Sequence, residues 1–391
     1  MKTNSILFLT NAYPDFDSSY RGIFIKKMAI LLKDEGYEIS VVTPKIYGGS
    51  HYFEEQNGIK VYRFPFFARD KLLIEHKKIP YLRMILYYIT GFSLTIYAMF
   101  KNKCNLIHVH WAIPTGPIGV LVSTLSKKPF VVTIHGSDFR LAMDKSFLLK
   151  RIFLYVCKKA GHINCVSEVM KKGVEQLGIR EEKISTFPMG IDESFLEARR
   201  KRQKKSTGPA YTIFSNRNLL SFYNVSLLIK AIPEILKEEP GTQFLIAGDG
   251  PEKRNLGREV KDLNLGSKVQ FLGRVPHAEM PSLLAQADIY VSTSLYDGTS
   301  VSLLEAMAAG AFPIVTDIPS NREWISDGKN GFLVPTGNEY TLARKIVEAI
   351  RNKELLVEAN ARNRKLIEQK AHWKTTIRKI ANIYESSTMP G

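Results

Sequence analysis

Cysteine is scarce. The 391 residues include three, Cys104, Cys157 and Cys165, an odd number without metal-ligand spacing. That argues against a disulfide framework and against a cysteine-based metal site. The three are expected to be reduced, mostly buried thiols of a cytoplasmic protein. Acids are in deficit as well: 38 Asp and Glu stand against 55 Lys and Arg, for a formal charge of +17. About +9 of it falls in residues 1–198, about +6 in 199–207 and only about +2 in the remainder. The excess is expected to attract an anionic partner such as a membrane surface. A solvated linker is the plainer explanation for "RRKRQKK", residues 199–205. Nucleic acid is not expected, because stacking-aromatic motifs, zinc-finger spacing and a recognition-helix signature are all missing.

Long apolar runs are also rare. The opening "MKTNSILFLTNAYP" has too short an apolar run for a signal peptide and no small-residue cleavage site. A strand over Ser5–Thr10 is expected there instead. One stretch, "YLRMILYYITGFSLTIYAMF" (Tyr81–Phe100), comes near the roughly 20 apolar residues that cross a bilayer. Arg83 near one end, with Thr90, Gly91, Ser93 and Thr95 inside, favours a buried or interfacial helix.

What the chain does have is rhythm. Short β-branched runs such as "ILFLT", "EISVVT", "LIHVH" and "FVVTIH" alternate with helical stretches. After the basic run the alternation restarts with "YTIFS", "QFLIAG", "KVQFLG", "DIYVSTS", "FPIVT" and "GFLVP". Continuously apolar strands between helices imply parallel sheets covered on both faces. Two such series predict an α/β protein of two doubly wound, Rossmann-like domains. The expected layout is 1–198 for the first domain, 199–209 for a basic linker, 210–368 for the second, and 369–391 for a final helix. Ligands of such sheets bind outside the carboxyl ends of the strands, at the switch point. With two domains, a cleft facing both is the expected site.

The stretch "DGTSVSLLEAMAAG" (Asp297–Gly310) follows the strand "DIYVSTS". Gly298, Thr299, Ser300 and Val301 are expected to form a turn and the start of a helix. Its unsatisfied N–H groups and dipole suit a phosphate. Asp297 and Glu305 would then reach opposite ends of a ligand whose middle is a diphosphate, each accepting from sugar hydroxyls. An acid that merely stabilises the helix start would account for Asp297. It leaves Glu305, set in an apolar segment, without a reason. Near the ends of first-half strands, His135 is a candidate and His110 a weaker one. His108 and His110 are expected to point to opposite faces of their strand.

The spacing of the two acids resembles the E-x7-E signature of family 4 retaining glycosyltransferases, which have the GT-B fold. The resemblance extends over residues 247–335 and to "HVHWAIPTGPIG" and "TIHGSD". It implies a final helix that crosses back onto the first domain. It implies that Asp297 holds the donor sugar's hydroxyls and that Gly298, Thr299, Ser300 and Val301 contact sugar and phosphates. Glu305 would hold the ribose, His135 would approach the sugar, and Gly22 would face the diphosphate. Val275 would lie near the base, and Arg217 would bind phosphate. The chain departs from the pattern where Asp297 replaces a Glu, Thr299 a Phe, Ser300 a Gly, and Tyr223 a Lys. A missing Lys removes one cation from a leaving diphosphate.

The expected function is transfer of a hexosyl group from a nucleotide-diphosphate sugar to a glycan or lipid-linked acceptor, with retention. No aspartate-rich metal motif is evident, so neither metal nor other cofactor is expected. Cell-surface polysaccharide or glycolipid synthesis is the expected setting, with peripheral contact to an anionic membrane. A sugar-nucleotide epimerase of the same fold and a non-catalytic nucleotide-binding relative are the alternatives.

Overall fold

A computed structural model describes residues 5–16, 19, 21–66, 81–144, 146–198 and 211–388. The basic linker expected at 199–209 lies outside the described residues. The chain divides into two compact units, one of Met1–Pro188 with Thr376–Gly391, the other of Met189–Thr375.

The strands of the first unit are β1 (Ser5–Thr10), β2 (Glu38–Lys45), β3 (Phe53–Gln56), β4 (Ile59–Pro65), β5 (Leu106–His110), β6 (Phe130–Ile134), β7 (His162–Cys165) and β8 (Ile184–Thr186). Its helices are α1 (Ile23–Asp34), α2 (Tyr81–Lys101), α3 (Gly116–Ser126), α4 (Ser137–Asp144), α5 (Phe147–Lys159) and α6 (Glu168–Gln176). The sheet runs β3-β4-β2-β1-β5-β6-β7-β8. Every pairing is parallel except β3 with β4, an antiparallel hairpin at the edge. Sequence periodicity misses β3: "FEEQ" carries two acids and one large apolar residue, and only cross-strand pairing makes it a strand. The inner strands β1, β5 and β6 are buried at every position, as a sheet with two covered faces requires.

The second unit holds α7 (Glu193–Ala198), β9 (Tyr211–Asn216), α8 (Val225–Glu238), β10 (Thr242–Ala247), α9 (Lys253–Asp262), β11 (Val269–Gly273), α10 (Met280–Gln286) and β12 (Ile289–Ser292). It continues with α11 (Val301–Ala309), β13 (Phe312–Thr316), α12 (Pro319–Arg322), β14 (Phe332–Val334), α13 (Glu339–Arg351) and α14 (Lys353–Lys370). A last helix, α15 (Trp373–Thr388), starts here and continues into the first unit at Thr376. The sheet, β11-β10-β9-β12-β13-β14, is wholly parallel. One apolar cluster fills the side of α8 and α13, and another packs around α11.

Both orders reverse direction once. In the first sheet the chain steps outward from β1 to β2 on one side and from β5 onward on the other. In the second it steps from β9 toward β11 and from β12 toward β14. The switch points therefore lie between β1 and β5, and between β9 and β12. Loops that leave neighbouring strands in opposite directions open a crevice there.

Candidate functional site

In the second unit, Arg217 follows β9 and Asp297 follows β12, so both stand at the switch point. Gly248, after β10, packs its backbone against this loop: with φ of 133° it passes close to the Arg217 carbonyl, where a Cβ would collide. The Arg217 side chain is buried and makes two directed contacts. Its Nη2 donates to Asp297 Oδ2 at 2.5 Å, and its Nη1 donates to Ser300 Oγ at 2.7 Å. The other carboxylate oxygen of Asp297 accepts from the Gly298 amide at 2.9 Å. Burial alone would weaken the guanidinium's hold on its proton; Asp297, followed by Tyr223 and Tyr290, more than offsets this and raises its pKa. Arg217 is a permanent cation held in place.

Tyr223 occupies the Lys position of the resembled pattern. Its ring lies 4.1 Å from Arg217 Cζ, a cation–π stack. The residue thus orients one cation instead of supplying a second.

Helix α11 begins at Val301 with Ser300 as its cap, whose Oγ accepts from the Leu303 amide at 3.3 Å. Asp297 does not cap the helix, as the plainer explanation of this acid would have it; it pairs with Arg217. Ser300 Oγ serves cap and arginine together, so the missing glycine of the resembled pattern becomes a tie between the turn and the cation. Thr299 and Val301 flank it, half-buried. Glu305, one turn into α11, is buried and accepts from His277 Nε2 at 2.8 Å. His277 was not a candidate. A lone histidine after "GRVP" carries no periodic signal, and only the fold brings it to Glu305. Val275, two residues earlier, is half-buried against the cluster around α11.

In the first unit, Gly22 caps α1 with φ of 67°, and a Cβ there would run into the Ala12 carbonyl. This is a position for glycine alone. Its neighbour Arg21 is buried, pairs with Asp15 at 2.5 Å and donates to the Asn11 carbonyl at 3.0 Å, which ties the turn to the end of β1. Three histidines gather beside it at the ends of β5 and β6. His108 and His110 are stacked, with centroids 4.1 Å apart. This overturns the expectation of opposite faces: residues two apart on a strand share a face, because side chains alternate one by one. His108 is held by Tyr384 on α15 and by Thr133, at 2.5 and 2.8 Å. Nδ1 of His110 meets Nε2 of His135 at 3.2 Å, and the His135 ring lies against Trp111 at 4.3 Å.

Asp138, a second residue that sequence reasoning passed over, organises this corner. Its Oδ1 accepts from the His135 and Gly136 amides, and its Oδ2 accepts from Ala112. Burial nonetheless raises its pKa to about 6.

Burial also lowers the pKa of His108 and His135 to about 3 and takes that of His110 well below its ordinary value. Below pH 6.5 the unfolded chain therefore binds protons that the folded rings refuse, and stability falls as pH drops toward about 3. Asp138 opposes this between about 6 and 3.8, where the folded state binds the extra proton. Three rings outweigh one carboxyl. Between about pH 7 and about pH 5 the unfolding free energy, measured by denaturant titration, is expected to fall by a few kcal/mol. A flat stability profile over that interval would contradict the burial of these rings.

Two family models match side by side. That of "Glycosyltransferase Family 4" matches residues 22–195, and that of "Glycosyl transferases group 1" matches residues 196–366. Among curated relatives, an uncharacterized glycosyltransferase of Methanocaldococcus jannaschii is 27% identical, over 78% of this chain and 81% of its own. The UDP-Gal:alpha-D-GlcNAc-diphosphoundecaprenol alpha-1,3-galactosyltransferase of Escherichia coli is 25% identical, over 85% of this chain and 86% of its own. Among solved structures, Anabaena HepE in complex with UDP superposes with a TM-score of 0.77 and 19% identity, covering 98% of this chain and 100% of that one. The architecture is the GT-B fold, and the matched models together run without a break from 22 to 366. The chain belongs to the family 4 glycosyltransferases.

Proposed function

We propose that this glycosyltransferase moves a hexosyl group, with retention and without a metal ion, from a nucleotide-diphosphate sugar to a hydroxyl of a glycan or lipid-linked acceptor. The observation that carries this reading is the buried Arg217 at the switch point, bonded at once to Asp297 and to the cap of α11. A fixed cation beside a helix N-terminus is suited to the charge that develops on a departing diphosphate. In the reaction the C1–O bond to the phosphate breaks and the acceptor oxygen bonds to C1 on the same face. The acceptor's proton passes to the leaving phosphate oxygen.

In this reading Arg217 and the turn of Gly298, Thr299, Ser300 and Val301 hold the diphosphate, and Asp297 orients the sugar. Glu305, set by His277, accepts from the ribose hydroxyls, and the Val275 backbone lies by the base. From the first unit, the resemblance assigns His135 to the sugar, the Gly22 turn to the diphosphate and His110 to the acceptor. HepE's complex with UDP makes uridine nucleotides the first donors to try. The lipid diphosphate in the name of the Escherichia coli relative supports a lipid-linked acceptor; the proposed setting is polysaccharide or glycolipid synthesis at the cytoplasmic side of a membrane.

Calorimetry with a panel of nucleotide sugars, then product analysis by NMR, tests the reading. One class of donor is expected to bind, the product is expected to keep the donor's anomeric configuration, and a chelator is expected to leave turnover unchanged. An inverted product or loss of turnover with chelator overturns the mechanism. Donor turnover without any acceptor overturns the reaction class.

A further inference from the structure

Helices α2, α3 and α5 cover one side of the first sheet as a continuous layer. Gly91 on α2 lets Ile118 of α3 approach, and Gly116 on α3 does the same for Val156 of α5. The sheet sides of these helices bury Tyr87, Thr95, Ala98, Met99, Val122 and Phe153.

The outward sides are unusual in two ways. First, they are apolar. On α2, Leu82, Ile85, Ile89, Tyr97 and Phe100 follow one another at helical spacing, and Leu82 is 84% exposed. Leu121 and Leu125 continue the surface on α3. Phe147, Leu148 and Tyr155 extend it on α5, with Phe147 76% exposed. Single exposed apolar residues need no explanation, but a contiguous field of them marks a contact surface. Second, the three helices contain no Asp or Glu. Cations border the field instead: Lys101 and Lys103 at the end of α2, Lys127 and Lys128 after α3, and Lys150, Arg151, Lys158 and Lys159 on α5. The nearest described acid in sequence, Asp144 on α4, is paired with Arg140.

We propose that this three-helix face lies flat on an anionic lipid bilayer, its apolar side chains entering the headgroup boundary and its lysines and arginines meeting lipid phosphates. A protein partner with an acidic rim would satisfy the cations, but exposed apolar side chains spread over the outer flanks of three helices, with lysines or arginines at or beside each of them, are the combination that an anionic headgroup boundary takes up. Among the described residues, α2 is the one helix long and apolar enough to cross a membrane. To do so it would have to leave the sheet, to which buried Tyr87 binds it through edge contacts with Phe64 and Phe66. A helix so attached lies in the interface plane. The proposal stands apart from the donor assignment, and its readout needs no substrate.

The test is co-sedimentation of the full chain with vesicles of phosphatidylcholine alone or mixed with phosphatidylglycerol. Binding is expected only with the anionic lipid, and it is expected to weaken as salt rises. An I85Q/I89Q/F147Q variant is expected to bind at least about tenfold more weakly, by loss of inserted apolar surface. A K150Q/R151Q/K158Q/K159Q variant is expected to lose at least about tenfold on anionic vesicles. All seven side chains lie on the outer surface, so thermal melts should match that of the parent. No binding by the parent, or equal binding by both variants, overturns the proposal. So does a concentration-dependent dimer that the apolar variant abolishes while vesicles are ignored, since the occupant would then be a second copy.

Discussion

Arg217→Gln is expected to lower kcat by about 10²- to 10³-fold, the loss seen when one preorganised group facing a developing charge is removed. The reason lies in where the guanidinium stands, buried at the switch point of the second unit and bonded to the residue that caps α11. Tyr223, where the resembled pattern has a Lys, contributes a ring and no charge, so the guanidinium is not duplicated by its sequence neighbour. The cap of α11 is the bond from the Leu303 amide to Ser300 Oγ, which the substitution leaves in place. Affinity for UDP, measured by calorimetry, should fall with kcat, since diphosphate and transition state share the cation. Tyr223→Lys provides the converse arm: returning a cation is expected to tighten UDP. Unchanged turnover in Arg217→Gln would remove the leaving-group role from the proposal.

Asp297→Asn should separate binding from catalysis. The carboxylate balances a buried guanidinium, their side chains being 15% and 7% exposed. Removing the negative partner of a buried pair costs about 3–5 kcal/mol when both are dry. The partial exposure of Asp297 brings the expected loss of stability to about 2 kcal/mol. The freed cation should then bind UDP at least as tightly as before. Sugar transfer should nevertheless drop by at least about tenfold, since the sugar has lost a charged acceptor for its hydroxyls. Asp297→Glu restores the charge with a longer reach and should recover stability more fully than it recovers turnover. If UDP weakened in parallel with turnover in Asp297→Asn, the carboxylate would be holding the nucleotide and not the sugar.

Local patterns made much of this legible in advance. The alternation of apolar strands with helices announces two parallel sheets, because a strand covered on both faces must be apolar throughout. The turn at Asp297–Val301 is visible as a strand end, a Gly-Thr-Ser run and a small-residue helix. Where the expectation failed, it failed on geometry beyond the local pattern or on a rule misapplied. His108 and His110 share a face, as two residues one step of two apart must. The alternative weighed against the ligand reading of Asp297, an acid that merely stabilises the helix start, also falls on geometry, because Ser300 stands at that start and its hydroxyl reaches the Leu303 amide. The hairpin strand β3 has no periodic signature, since its neighbour β4 supplies the order.

The sequence by itself determined the class of fold, the existence of two units and the residues with chemistry at strand ends. Those follow from periodicity and residue type, which act over a few positions along the chain. Tertiary structure alone decided the partners. Arg217 meets an acid 80 positions away, and His277 meets Glu305 28 positions away. A third such match brings His108 to Tyr384, 276 positions distant. Such pairs depend on which strands become neighbours at a switch point and on how far a side chain must reach once there. Neither quantity is written in local spacing, because the hydrogen-bonded order of strands is set by the packing of whole helices against the sheet.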